Sequence, residues 1–393
     1  MRTRFVPTIG LLAAIACTTE TKVEYEPYSG GPAYPDKRPK LPSPKGYFGF
    51  VSDSLSDTVS ILDLPSNEVV MQVPVGREPV GVDGPHHLAI DAQGNVYVAL
   101  SYPPATTPPG PHASHSSSTR PGFVQKLAAS DLHVLGEVQV DANPGEIVIT
   151  PDSKKVIVTH FDVNRAINPA LDAEQQKATI AIIDTATLIA TGTPPPISVR
   201  VCRAPHGASV APDNKTVYVA CYGDDALAIV DVSSPATPPT LVPVNAKGPY
   251  SAVLSASARF VAIGTTDGKE TRIFDTRSKT IQEKGYPTQG APFFAAWALD
   301  ESKLWIPTQG PDAIVSVDVS TGATLKQRLF DDSCIKPHEA VLAKDGSALY
   351  LVCEGDHKTP SVVLVLDPST LETRSSMKVG VYPDRLAFGA GGP

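Results

Sequence analysis

The chain has 393 residues, 41% of them hydrophobic, and its 33 basic residues against 41 acidic ones give a formal charge of −8. No run of Lys or Arg interrupts that balance, which argues against a nucleic-acid partner bound through its phosphates. Thirty-nine prolines and 29 glycines put turns along the whole length, and the Val, Ile and Thr between them point to an all-β chain.

The first segment, MRTRFVPTIGLLAAIAC, carries Arg2 and Arg4 and then a largely apolar run over residues 5–16. That run suits an export signal and is too short to span a bilayer. Cys17 after Ala-Ile-Ala resembles a bacterial lipoprotein signal, in which the cysteine is lipidated and becomes the first residue. Ala14 and Ala16 equally suit ordinary signal cleavage, and both routes export the chain. The resemblance implies a membrane anchor at Cys17, and Thr18 after it implies sorting to the outer membrane. Residues 17–45, with six prolines and little apolar periodicity, read as a semi-extended tether; residues 46–393 remain for the folded domain.

That domain repeats. A proline opens a short apolar run at Pro85, Pro144, Pro205, Pro249, Pro292, Pro337 and Pro383, with spacings of 59, 61, 44, 43, 45 and 46 residues. After most runs come a polar turn and a second strand, such as VYVALS or LYLVC. A third strand follows, ending at Asp184, Asp231, Asp275, Asp318 or Asp367. A weaker fourth strand completes the unit. Four-stranded units of this period must stack to bury both faces, and a closed ring leaves no open edge between them. Pro383 opens only an innermost strand. Residues 46–76 supply the three that are missing, including TVSILD up to Asp63. The expected architecture is therefore a seven-bladed β-propeller of four-stranded antiparallel blades. Its last blade is closed by N-terminal strands joining the C-terminal innermost strand.

DTVSILDLPSNEVVMQVPVGREP followed by PHHLAIDAQGNVYVALS resembles the YVTN-type β-propeller repeat, with its strand-Asp, Val-Gly, Pro-His and Tyr-Val landmarks. The resemblance implies a surface or periplasmic propeller and leaves the activity open, because propellers host unrelated functions.

Four cysteines remain besides Cys17. CRAPHGASVAPDNKTVYVAC and CIKPHEAVLAKDGSALYLVC each begin and end on one, so Cys202–Cys221 and Cys334–Cys353 are expected disulfides, each stapling its own blade. The residues just after the seven prolines form a second pattern: His86, Gly145, His206, Tyr250, Phe293, His338 and Asp384. They should ring the channel mouth. His86, His206 and His338, with a carboxylate, are an acceptable zinc or copper shell. The competing reading takes them as structural histidines spread around the channel, with no cofactor. His87 should point to the opposite face of its strand and pack between blades. His160, in the slot that Cys221 takes in its own blade, should face the same mouth.

Two long insertions, residues 102–121 and 164–177, leave from that rim. His112 and His115 fall in the first, on a flexible Ser/Pro-rich loop. Two functions follow. One is a monomeric, non-catalytic binding module, held to the membrane by its N-terminal lipid and contacting an envelope protein or glycan through the decorated face, with Tyr222, Tyr250 and Phe293 as rim aromatics. The other is a propeller enzyme, lactonase- or lyase-like or a metal-dependent oxidoreductase, using His206, His338 and Glu339 at the mouth with no second carboxylate in register. Covalent-haem, nucleophile-elbow, His-Glu-x-x-His and P-loop patterns do not occur.

Overall fold

The computed structural model describes residues 38–44, 46–77, 81–103, 117–190 and 192–389. The expected signal peptide, Cys17 and most of the tether lie outside these residues, as do His112 and His115. Seven antiparallel sheets form the propeller, each with its innermost strand opened by one of the seven prolines or, in blade five, running through it. These strands are Pro85–Ile90, Pro144–Ile149, Pro205–Val210, Pro249–Leu254, Pro337–Leu342 and Pro383–Phe388, while in blade five the strand is broken into Ala291–Pro292 and Ala296–Trp297. Blade seven combines Pro383–Phe388 with Phe48–Asp53, Thr58–Asp63 and Glu68–Pro74, so both ends of the chain close the ring. Among the described residues no helix is long and apolar enough to cross a membrane.

Local chemistry explains each landmark. The aspartate ending the third strand caps the turn into the fourth. A side-chain oxygen accepts a backbone N–H two or three residues on at Asp184, Asp231, Asp275, Asp318 and Asp367, as an Asx turn does. The residue before the proline sits at positive φ in six blades, at Gly84, Asn143, Ala204, Gly248, Lys336 and Tyr382. Its carbonyl accepts the N–H of the residue just past the second strand, as from Tyr222 to Ala204 and from Glu354 to Lys336.

The register then slips by one residue. Pro85 faces Leu100 but Leu88 faces Val98, and Pro205 faces Cys221 but Ala208 faces Val219. The same bulge recurs in blades two, four, six and seven. A bulge breaks the strict alternation of side chains, so the two residues after each proline can share the channel side.

The apolar core lies between blades. Ile180 and Ile182 of blade two pack on Val217 and Val219 of blade three, together with Cys202 and Cys221. Burying each such side chain contributes roughly 1.5–3 kcal/mol. Both expected disulfides form, with Cα separations of 5.9 Å for Cys202–Cys221 and 5.3 Å for Cys334–Cys353. They join blades instead of closing single ones. Cys202 ends the outermost strand of blade two, Ile197–Cys202, and its partner ends the second strand of blade three. Cys334 lies on the connection from blade five into blade six. The position three residues before the proline still belongs to the preceding blade's outermost strand or to the connection that follows it, which is why the bond is an inter-blade one.

Candidate functional site: the central channel

All seven residues that follow the prolines are buried, from His86 round to Asp384. His86 Nδ1 donates to the Pro144 carbonyl at 3.1 Å, His206 Nδ1 to that of Tyr250 at 3.2 Å and His338 Nδ1 to that of Asp384 at 2.8 Å. Each histidine thus stitches its blade to the next. Hydroxyls stitch other seams: Thr159 Oγ1 of blade two donates to the His206 carbonyl of blade three at 2.7 Å, and Ser251 Oγ of blade four to the Phe293 carbonyl of blade five at 2.8 Å.

The histidines are not spread around the channel. The His86 and His206 ring centres are 5.9 Å apart, and His87 stands 4.3 Å from His86, 5.8 Å from His206 and 5.9 Å from His338. His87 is therefore a channel residue and not one packed between blades, because the bulge after Pro85 reverses the expected alternation. His160 pairs with Pro144 in its expected slot, but its Nδ1 lies 2.8 Å from the Thr179 carbonyl, so it bonds along its own blade. Among the described residues no group of three or more His, Cys, Asp or Glu could hold a metal ion. The Nδ1 atoms of His86, His206 and His338 are already committed to backbone carbonyls.

The second residue after each proline builds a deeper layer. Glu146 Oε1 lies 3.0 Å from His87 Nδ1, and Arg385 Nη1 lies 3.3 Å from Glu146 and 2.9 Å from Glu339. Its guanidinium also sits 5.6 Å from the Phe294 ring centre. Glu146 is the second carboxylate in register that the sequence reading did not find. Burial pushes the Glu146 carboxyl up to about 7 against the pull of Arg385, and burial raises Glu339 as well. Burial and the neighbouring His86 and Arg385 hold His87 well below the usual imidazole range. Asp384 is raised well above the carboxylate range by burial and then by Glu354. An arginine between two buried carboxylates is a high-stakes arrangement, since losing one partner strands the others.

Two of the three expected rim aromatics are not on the rim. Tyr250 and Phe293 are buried in a cluster with Phe161 and Phe294, and only Tyr222 remains part-exposed, its hydroxyl donating to Asp267 at 2.9 Å. A groove of about 430 Å³ lies away from the channel, on the outer rim between blades two and three, lined by Lys177, Arg200, Pro238 and Leu241.

Comparison with protein-family models and with curated proteins finds no match. Solved structures match in fold. A functionally unknown protein from Desulfotomaculum acetoxidans aligns at TM-score 0.65 and 11% identity over 87% of this chain and 99% of that one. The periplasmic gluconolactonase of Pseudomonas aeruginosa aligns at TM-score 0.65 and 14% identity over 88% and 99%. The hydrazine synthase of Kuenenia stuttgartiensis aligns at TM-score 0.54 and 17% identity over 74% and 79%. At these identities the likeness is one of fold, and the activities named are unrelated.

Proposed function

We propose that the chain is an exported, lipid-anchored β-propeller that serves as a non-catalytic binding module of the cell envelope, presenting the rim on which its innermost strands begin. The observation that carries this reading is the burial of the whole mouth ring, with three histidines spent on holding neighbouring blades. Residues used in that way are poorly placed to meet a substrate. Two disulfides support an oxidising compartment, and the net charge of −8 disfavours nucleic acid. Photo-crosslinking in intact cells tests the reading. A reactive residue at Tyr222, on the mouth rim, is expected to trap a protein or glycan partner, and one at Leu299, on the opposite face, is not. Loss of membrane association in Cys17→Ser checks the anchor; equal labelling from both faces overturns the assigned face.

A second reading, a hydrolase acting on a lactone-type substrate, is favoured by the Glu146–Arg385–Glu339 group, since Arg385 keeps a side-chain exposure of 23%. Clusters of perturbed carboxylates mark active sites more often than chance. Turnover of glucono-δ-lactone that disappears in Arg385→Lys would replace the binding reading with this one.

A further inference from the structure

The groove between blades two and three is bounded by an open sheet edge. Its first wall is the outermost strand of blade two, Ile197–Cys202, which pairs on one side only, with Ala178–Asp184. Four consecutive residues of that strand, Ser198–Val201, line the groove. Val199 and Val201 turn inward to the seam with blade three, while Ile197, Ser198 and Arg200 are exposed. No strand among the described residues takes up the other edge, so its backbone N–H and C=O groups are a template for one more strand.

The facing wall cannot supply that strand. Pro235–Pro239 come from the connection between the third and fourth strands of blade three, Ala226–Asp231 and Thr240–Pro243, and Leu241 from the fourth strand itself. Pro235, Pro238 and Pro239 have no N–H to donate, so this wall offers apolar contact instead. Leu241 is 39% exposed, and Ile197 at the end of the first wall 54%. The Cys202–Cys221 bond ties the two blades together at the mouth-rim end of the same seam. The groove is therefore preformed, which lowers the ordering cost of filling it.

The mouth-rim end also carries charge. Lys177 Nζ donates to Glu174 Oε2 at 2.6 Å, and these two cancel. Arg200 Nη1 donates to the Glu174 backbone carbonyl at 2.8 Å, and no carboxylate lies within ion-pair distance of it among the described residues. Its guanidinium is thus oriented by a neutral acceptor, with most of its N–H donors uncommitted. A chain of net charge −8 keeps one uncompensated cation in this groove. A guanidinium held in that way suits a carboxylate, which accepts from it through two parallel bonds.

We propose that the groove binds an extended acidic peptide of a partner protein, which adds to blade two as a fifth strand and seats a carboxylate on Arg200. About four residues of it, at about 3.3 Å each, run along Ser198–Val201. Side chains alternate along a strand, so acidic residues fall on the Arg200 face and apolar ones on the face towards Leu241 and Ile197. The site lies apart from the mouth rim proposed above for partner binding, and neither depends on the other.

Fluorescence anisotropy of a labelled, capped Thr-Val-Glu-Val-Glu-Val-Thr peptide, titrated with the folded full chain, tests this. Saturable binding is expected, at least about ten-fold tighter than that of the same peptide with both Glu replaced by Lys. Arg200→Glu should weaken the acidic probe at least about ten-fold and move the preference to the basic one. Amide exchange on the wild-type chain needs no variant: the probe should slow the amides of residues 198–201. No binding overturns the site, as do equal affinities for the two probes or protection confined to other residues. A crosslink within one chain from Lys177 to Lys22 would give the groove to this chain's own N-terminal segment, and dimerisation through it to a second copy. Either result overturns the partner peptide.

Discussion

His206 touches Tyr250 twice. Its imidazole stacks on the tyrosine ring with centres 3.9 Å apart, and its Nδ1 donates to the tyrosine's own carbonyl at 3.2 Å. One side chain therefore carries an aromatic contact and a hydrogen bond across the seam between blades three and four. His206→Ala removes both and leaves a cavity, at an expected cost of about 2–4 kcal/mol. His206→Phe keeps a ring but leaves a buried carbonyl without its donor, for about 1–3 kcal/mol. Urea midpoints of the two variants separate the contributions.

Arg385 is the counter-charge of Glu146 and Glu339. In Arg385→Ala both carboxylates lose it while buried, and an unfolding cost of about 3–5 kcal/mol is expected at pH 8. The loss should shrink at pH 5, because burial already raises both carboxyls and protonation removes the stranded charge. Equal losses at the two pH values would show that the ion pairs are not what Arg385 contributes.

Asp53 gives a second pH dependence. Its buried carboxyl is pushed up to about 7 by desolvation, against hydrogen bonds from Ser60 Oγ at 2.6 Å, Thr58 Oγ1 at 2.8 Å and the Gly380 N–H at 3.0 Å. Between about pH 4 and 7 the native chain keeps a proton that the unfolded chain has released, so this group lowers stability as pH rises. His87, held neutral, acts in the opposite direction below about pH 6.5. Comparison of Asp53→Asn with wild type cancels that term. The variant should gain on wild type by about 4 kcal/mol from pH 4 to pH 8, read from urea unfolding at each pH.

The disulfides are open to a direct check. The oxidised chain should weigh four hydrogens less than the fully reduced one by intact mass, since two bonds are present. The double variant Cys202→Ser, Cys221→Ser should lose about 2–4 kcal/mol. Amide exchange should rise first along the seam between blades two and three, where the bond lies, and not within either sheet.

The ring of seven and its closure were legible because a proline, a strand-ending Asp and a period of about 45 residues recur, and each has a local cause in the backbone. The channel was half legible. Counting one residue past each proline finds His206 and His338 correctly. Alternation then assigns His87 to the wrong side, because it carries no knowledge of the bulge. Lining up the second residue after each proline would have brought Glu146, Glu339 and Arg385 together without any coordinates.

The closing blade has a consequence for how the molecule is made. Ser54 Oγ donates to Asp384, a residue 330 positions away, and Gly49 pairs with Phe388 in the same sheet. The three strands synthesised first must wait, with one edge open, for the strand that completes their sheet. Until residues 383–388 pair with those strands, the sheet of blade seven is incomplete and the channel has neither Arg385 nor Asp384. A translation product halted before Pro383 would keep most of its hydrophobic seams yet hold Glu146 and Glu339 without their cation. It should be the form that proteases find.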